Sequence, residues 1–250
     1  MSGVAVSAVE RVLDILELFQ HRKTPLSLTE LAELAEIPKS SCHAITTTLL
    51  RRGYLYSLGK PRGLYPTRRL YDVAREVHEN DPYVARITPL LERLRDTSRE
   101  TVILGKRQDD RVIYLQVVES ENPIRYSARP GEFKPLHSSS IGKALLGSQK
   151  EADMRAAVTA LELPRVTVNT RTDEDDLVAD LLESRHRGYF LTRGENVADV
   201  WAVSAFLNIN AETLAIAIAG PQHRMEKTLS ECAQLLLAVT GHIARQWNRA

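Results

Sequence analysis

Apolar residues recur at helical spacing in the first stretch of the chain. In SAVERVLDILELF, Val9, Leu13 and Leu16, and beside them Val12, Ile15 and Phe19, fall three or four residues apart, the period of a helix face. Ser7 and Glu10 stand at capping-box spacing ahead of them, predicting a helix over about 7–20. A second box, Ser27 and Glu30, with Leu26 and Leu31 placed as a hydrophobic staple, opens a shorter helix ending near Ala35. Its stripe is Leu28, Leu31, Ala32 and Ala35. Glu36, Ile37 and Pro38 then make a tight turn, because Pro38 fits the first turn of a new helix but not the interior of the old one. In the third helix, at 100° per residue, Cys42, Ile45 and Leu49 share the docking side and Thr46 and Thr48 flank that seam. Ser40, His43, Ala44, Thr47 and Arg51 fall on the other side.

The pattern then changes. YLYSLGKPRGLYPT alternates Tyr and Leu around a Gly-Lys-Pro-Arg-Gly tip, which predicts a β-hairpin carrying Lys60 and Arg62 at its tip. Helical spacing returns over about 67–78, breaks at Asn80-Asp81-Pro82, and resumes over about 83–97. TVILGKR, RVIYLQVVE and PIRYSAR read as strands of an antiparallel meander. Helices follow over about 140–147, 151–161 and 173–187, the last capped by Thr172 and ended by Gly188. YFLTRGE, VWAVSAFLNI and TLAIAIAGP are strands again, and a final helix is predicted over 225–247. Strands, then helices, then strands predict an α+β second domain with helices on the sheet. The expected organisation is an N-terminal unit over 1–66, a linker helix over 67–80, and a second domain over 81–250.

A length of 250 residues, with 43% hydrophobic and 26% charged residues, allows two modest soluble domains. No apolar run approaches the roughly 18 residues of a membrane span, and MSGVAVSAVERV lacks the basic leader of a signal peptide; the expectation is a cytosolic protein without membrane contact. Cys42 and Cys232 offer neither a disulfide framework nor zinc spacing, and no metal or cofactor is expected. The net charge of +1 hides an asymmetry. Lys39, Arg51, Arg52, Lys60, Arg62, Arg68 and Arg69 face no acidic residue between positions 39 and 69, so this block carries +7 and the remainder 1 − 7 = −6.

A basic block on a neutral protein suits a polyanion, since each phosphate contact releases a counterion. Two helices joined by a short turn, the second with a short-chained polar face, have helix-turn-helix geometry, and a basic hairpin directly after them is a wing. The candidate DNA contacts are Lys39, Ser40, Ser41, His43, Ala44, Thr47, Arg51 and Arg52 on or beside the third helix, with Lys60 and Arg62 in the wing. The partner would be double-stranded DNA with a palindromic site, bound by a homo-oligomer, a dimer or a tetramer. Two enzyme readings compete in the second domain. In HSSSIGKALL a phosphate loop fails, with His137 where its first Gly should stand and Ala144 where its Ser or Thr should. His137, Ser138, Ser139, Glu195 and Asp199 are the right types for a hydrolase, but no GxSxG elbow surrounds the serines.

Over nearly its whole length the chain resembles the IclR family of bacterial transcription regulators. The resemblance is carried by SAVERVLDILELF, PLSLTELAELAEIPKSSCH, RRGYL, GEFKPLHSSSIGKALLG, RGYFLTRGEN and AIAIAGP, in that order. It implies a winged helix-turn-helix, a linker helix and a GAF-like domain that binds a small effector, in dimers and often tetramers. Recognition helices of the family commonly read lysine, serine, threonine, valine, histidine, arginine; here the run is Lys39, Ser40, Ser41, Cys42, His43, Ala44. Cys42 stands for an apolar packing residue, and an alanine stands where the arginine is usual. By the same resemblance, Ser140, Ile141, Gly142, Thr192, Ala202, Ala217 and Ala219 line the effector pocket, with Trp201 near the ligand's edge. Members that bind small keto acids offer serine hydroxyls on the last strand where this chain has two alanines. The expected effector is therefore larger or more apolar than glyoxylate or pyruvate, aromatic compounds included.

Overall fold

The computed structural model describes residues 7–59, 63–81 and 83–247, which divide after Asp81 into two compact units. In the first, α1 (Ser7–Arg22), α2 (Leu28–Leu34) and α3 (Lys39–Arg51) precede the strands β1 (Leu55–Leu58) and β2 (Gly63–Pro66), and α4 (Arg68–Glu79) closes it. Both halves of the Ser27–Glu30 capping box form: the Ser27 amide donates to Glu30 at 2.7 Å and the Glu30 amide to Ser27 Oγ at 3.2 Å. The turn into α3 is made by Glu36 at φ 53°, and Pro38 serves as the N-cap, its carbonyl accepting from the Cys42 amide. Ile15, Phe19, Leu26, Leu31, Cys42, Leu49 and Leu55 form the small core. Leu26 exchanges both backbone hydrogen bonds with Leu64, which ties the α1–α2 connection to the hairpin as a short third strand.

The buried side of α3 differs from the expected one by a residue. Cys42, Thr46 and Leu49 are buried, whereas Ile45 is half-buried and Thr48 exposed. Thr46 can occupy the core because its hydroxyl donates to Cys42 O at 2.8 Å and His43 O at 3.1 Å, so no unsatisfied polar atom is buried. Cys42 is fully buried and its thiol pKa is pushed up by burial, which makes it a packing residue. Lys60 and Arg62, expected in the wing, lie outside the described residues.

The second unit contains α5 (Val84–Ser98), β3 (Thr101–Gln108), β4 (Arg111–Val118), β5 (Phe133–Pro135), α6 (Ser140–Gly147), α7 (Glu151–Thr159), α8 (Glu174–Arg187), β6 (Phe190–Arg193), β7 (Val200–Ile209), β8 (Glu212–Pro221) and α9 (Gln222–Trp247). Its strands form one antiparallel sheet in the order β5-β4-β3-β8-β7-β6. One face packs on α5 and α9 through Val102, Leu104, Val203, Leu207, Ile216 and Ile218. The other packs on α6, α7 and α8 through Ile103, Ala202, Ala215, Ala217 and Ala219. The run AIAIA in β8 is therefore a two-sided strand, apolar on both faces, with its bulk on one side and methyl groups on the other.

Three expectations need correction. PIRYSAR, residues 123–129, is not a strand. Residues 131–135 take the place beside β4, through Gly131 N to Tyr114 O, Tyr114 N to Glu132 O and the β4–β5 ladder. The displaced segment is pinned instead by side chains: Thr101 Oγ1 donates to Tyr126 O at 2.5 Å and Arg224 to Ile124 O at 2.8 Å. The cap of α8 is Asp173, whose carboxylate accepts from the Asp176 amide, rather than Thr172. The last helix begins at Gln222, three residues before its first buried side chain, Met225.

Candidate nucleic-acid interface and small-molecule cavity

In the first unit, Lys39, Ser40, His43, Ala44, Thr47, Arg51 and Arg52 are all exposed on or beside α3, and Ser41 is half-buried where Arg11 reaches its hydroxyl at 3.4 Å. Arg52 and Arg69 both lie over the ring of Tyr54, at 5.8 and 5.3 Å, which holds two cations beside the C-terminal end of α3. Alongside, a groove runs between α2, α3 and the hairpin, lined by Thr29, His43, Thr47, Leu50 and Ser57. Sequence reasoning did not single out Thr29, Leu50 or Ser57. A helix with short side chains outward, flanked by cations and by a hairpin, can enter a major groove and meet phosphates on both sides.

In the second unit, Ser140, Thr192, Ala202, Ala217 and Ala219 surround one cavity of about 30 Å³ between the sheet and the start of α6. Three other expected residues are outside its lining. Ile141 packs against Gly105 and Gly142 against the backbone of Leu136. Trp201 is one residue from Ala202 on a strand, so it points to the opposite sheet face, where Arg193 lies over its ring at 5.2 Å. The cavity adds Ser139, which the sequence suggested only for hydrolysis, and residues it did not flag: Ile103, Tyr114, Tyr126, Asn196, Val197 and Val200. Tyr126 reaches it because residues 123–129 are irregular. The Tyr114 hydroxyl has its pKa strongly raised, first by burial and then by Tyr126 beside it, so this phenol stays neutral and keeps its proton to donate.

The hydroxyl of Ser139 caps α6, accepting from the Gly142 amide at 3.2 Å while donating to Pro135 O at 2.6 Å. Asn196 donates to Ser138 Oγ at 3.1 Å. The hydroxyls of Ser140 and Thr192, both buried, make no hydrogen bond among the described residues. The cavity thus has an apolar floor of alanines and isoleucine, two free hydroxyls, and the positive end of a helix on one wall.

Behind that wall lies a charge cluster. The ammonium of Lys143, fully buried, meets Glu195 Oε2 at 2.5 Å, Asp180 Oδ2 at 2.9 Å and Leu191 O at 3.3 Å, and Arg171 reaches Asp180 at 3.4 Å and Asp176 at 2.6 Å. Burial raises the Glu195 pKa against the lowering effect of Lys143. Glu195 directly precedes the cavity residues Asn196 and Val197, and its carbonyl accepts from Thr170 at 2.7 Å. A groove of about 710 Å³ opens over the cluster, but its Arg171 and Arg187 are already paired with carboxylates.

Four of the five residues considered for hydrolysis are engaged elsewhere, and the fifth, Asp199, is exposed. His137 Nε2 bonds to Pro164 O at 3.0 Å, Ser138 accepts from Asn196, Ser139 caps α6, and Glu195 pairs with Lys143. No group of three or more metal-binding side chains occurs among the described residues, and no described helix is long and apolar enough to cross a membrane.

The family model described as the IclR helix-turn-helix domain matches residues 8–59, and that of the bacterial transcriptional regulator IclR C-terminal matches 76–245. The HTH-type transcriptional regulator BhcR of Paracoccus denitrificans is 32% identical over 222 residues, 88% of this chain and 79% of that protein. The crystal structure of the Thermotoga maritima IclR superposes with a TM-score of 0.82 at 22% identity, covering 97% of this chain and 99% of the other. An IclR homolog from Microbacterium hydrocarbonoxydans, complexed with 4-hydroxybenzoate, superposes with a TM-score of 0.75 at 21% identity, covering 97% and 100%.

Proposed function

Because the chain belongs to the IclR family of bacterial transcriptional regulators, we propose that it binds a palindromic operator as a homo-oligomer and releases or engages it on binding a small, largely apolar organic acid. The free hydroxyls of Ser140 and Thr192, buried over an alanine floor at the N-terminus of α6, carry the effector half of this reading. A carboxylate is favoured at the helix end and by the hydroxyls, and a hydrocarbon or ring by Ile103, Ala202, Ala217 and Ala219. Glyoxylate or pyruvate would leave that floor without a partner. The complex of the Microbacterium homolog with 4-hydroxybenzoate supports the same class of ligand.

At about 30 Å³ the cavity has room for little more than a water molecule. An aromatic acid must therefore enlarge it. The sheet and α6 are packed on both sides; what can yield is the irregular segment carrying Tyr126 and the turn carrying Asn196 and Val197, the latter already 40% exposed. An effector changes operator affinity only by binding one quaternary arrangement better than another. The oligomer reading is supported by Val9 and Leu13 on α1 and by Tyr71, Val73 and Val77 on α4, apolar and exposed, with no residue of α4 buried.

Calorimetry on the full chain with benzoate, 4-hydroxybenzoate, pyruvate and glyoxylate tests the effector class: the aromatic acids bind more tightly, and a two- or three-carbon keto acid binding best overturns it. Ala219→Leu fills the cavity and abolishes ligand heat while operator binding persists. Gel shifts with the DNA flanking its own gene test the regulator reading, which no retardation even at low salt would sink.

A further inference from the structure

The three consecutive threonines of α3 put their hydroxyls to different uses. Thr46 is buried and bonds to the backbone of its own helix. Thr47 is exposed, and its hydroxyl makes no hydrogen bond among the described residues. Thr48 is exposed as well, but its hydroxyl donates to Ala44 O at 3.0 Å. Turned back on the helix in this way, Thr48 has a methyl group left to offer a partner.

Ala44 lies one turn before Thr48, on the side of α3 opposite Cys42, Thr46 and Leu49, and is exposed. The centre of the outward face therefore carries two methyl groups four residues apart. A guanidinium or amide there would pair with the donors and acceptors of a guanine or adenine edge; a methyl group cannot. The major groove displays one apolar group, the C5-methyl of thymine, and contact with it is the readout open to an alanine or a threonine methyl.

We propose that Ala44 and Thr48 select thymine in each operator half-site by methyl-to-methyl contact, with the free hydroxyl of Thr47 taking a polar base edge or phosphate beside them. This rests on the reading of α3 as the helix that enters the major groove. It makes Thr48 a specificity residue, and it gives Ala44 a positive role where an arginine would have read a guanine.

The test uses the full-length protein and a random-sequence duplex pool. Selected half-sites are resynthesised with each thymine replaced in turn by deoxyuridine, which removes only the C5-methyl. At one or two thymines per half-site the replacement weakens binding by about fourfold, the worth of one buried methyl group. Thr48→Ser keeps the hydroxyl bond to Ala44 and loses the methyl, so it erases the distinction between thymine and deoxyuridine at one of these positions. Thr48→Val retains the distinction. Should no thymine respond, should selected half-sites lack thymine, or should Thr48→Ser and Ala44→Gly leave every response unchanged, the proposal is overturned while DNA binding stands. Failure to enrich any duplex at low salt would instead overturn the reading of α3 itself.

Discussion

Replacing Lys143 by Met tests whether the buried charge cluster holds the cavity wall in place. Methionine matches the length of the lysine stem, so packing is nearly conserved and what disappears is the ammonium. Glu195 and Asp180, 8% and 16% exposed, then remain as two carboxylates without the cation that stood 2.5 and 2.9 Å from them. Removing one partner of a buried pair costs about 3–5 kcal/mol, because an uncompensated charge stays in the interior. For a unit of this size each kcal/mol lowers the midpoint by about 2–4 °C, so Tm falls by roughly 6–20 °C. The chain has two tryptophans, Trp201 and Trp247, both in the second unit, so urea or thermal unfolding followed by tryptophan fluorescence reports on the unit that contains Lys143. The loss depends on pH with a definite sign. Glu195 already has a raised pKa from burial, held down in part by Lys143. Without the lysine it rises further, and a protonated carboxyl is no longer an unpaired charge, so the Lys143→Met penalty is smaller at pH 5 than at pH 8. Lys143→Met/Glu195→Gln recovers part of the loss. A penalty below about 1 kcal/mol, or one that grows on acidification, would refute the reasoning.

Other measurements address the remaining sites. Arg51→Ala or Arg52→Ala, and Lys60→Ala or Arg62→Ala, weaken binding to all duplexes alike and reduce the salt slope by about one for each phosphate no longer neutralised; a change in sequence preference instead would contradict a phosphate role. Gly142→Ala places a Cβ against the backbone of Leu136, which cannot rotate away, so the second unit loses about 1–3 kcal/mol or more in denaturant titration, and a neutral result would contradict the packing of α6. His137 has its pKa lowered, chiefly by burial. Its neutral form is favoured in the fold, so its contribution is present above the ordinary histidine range and declines as pH falls below about 6.5. His137→Asn accordingly flattens the fall in Tm between pH 7 and pH 5.

Local signals made much of the first unit legible. The capping box at Ser27, the Pro38 turn and the 3.6-residue period fix where helices start and which side docks. They could not separate Thr46 from Thr48, because both stand beside the seam and the choice depends on which threonine meets α2 and the core across α3. In the second unit, the expectation that Trp201 borders the ligand beside Ala202 overlooked strand parity, since neighbours on a strand face opposite ways. Within the cavity, Ser140, Thr192 and the alanines were identified through family resemblance.

What the sequence by itself determined is the order and type of most elements, the basic block on the DNA-facing unit and the class of protein. These depend on residues a few positions apart, whose spacing is a property of the chain. The tertiary structure alone decided that residues 123–129 are displaced from the sheet so that Tyr126 reaches the cavity, and that Lys143 is buried between Glu195 and Asp180. Both depend on pairings between distant segments: a strand place beside β4 that only one stretch can fill, and an ammonium whose partners lie on α8 and beyond β6. A buried charge is tolerable only where such partners converge, and convergence is set by packing the sheet against its helices.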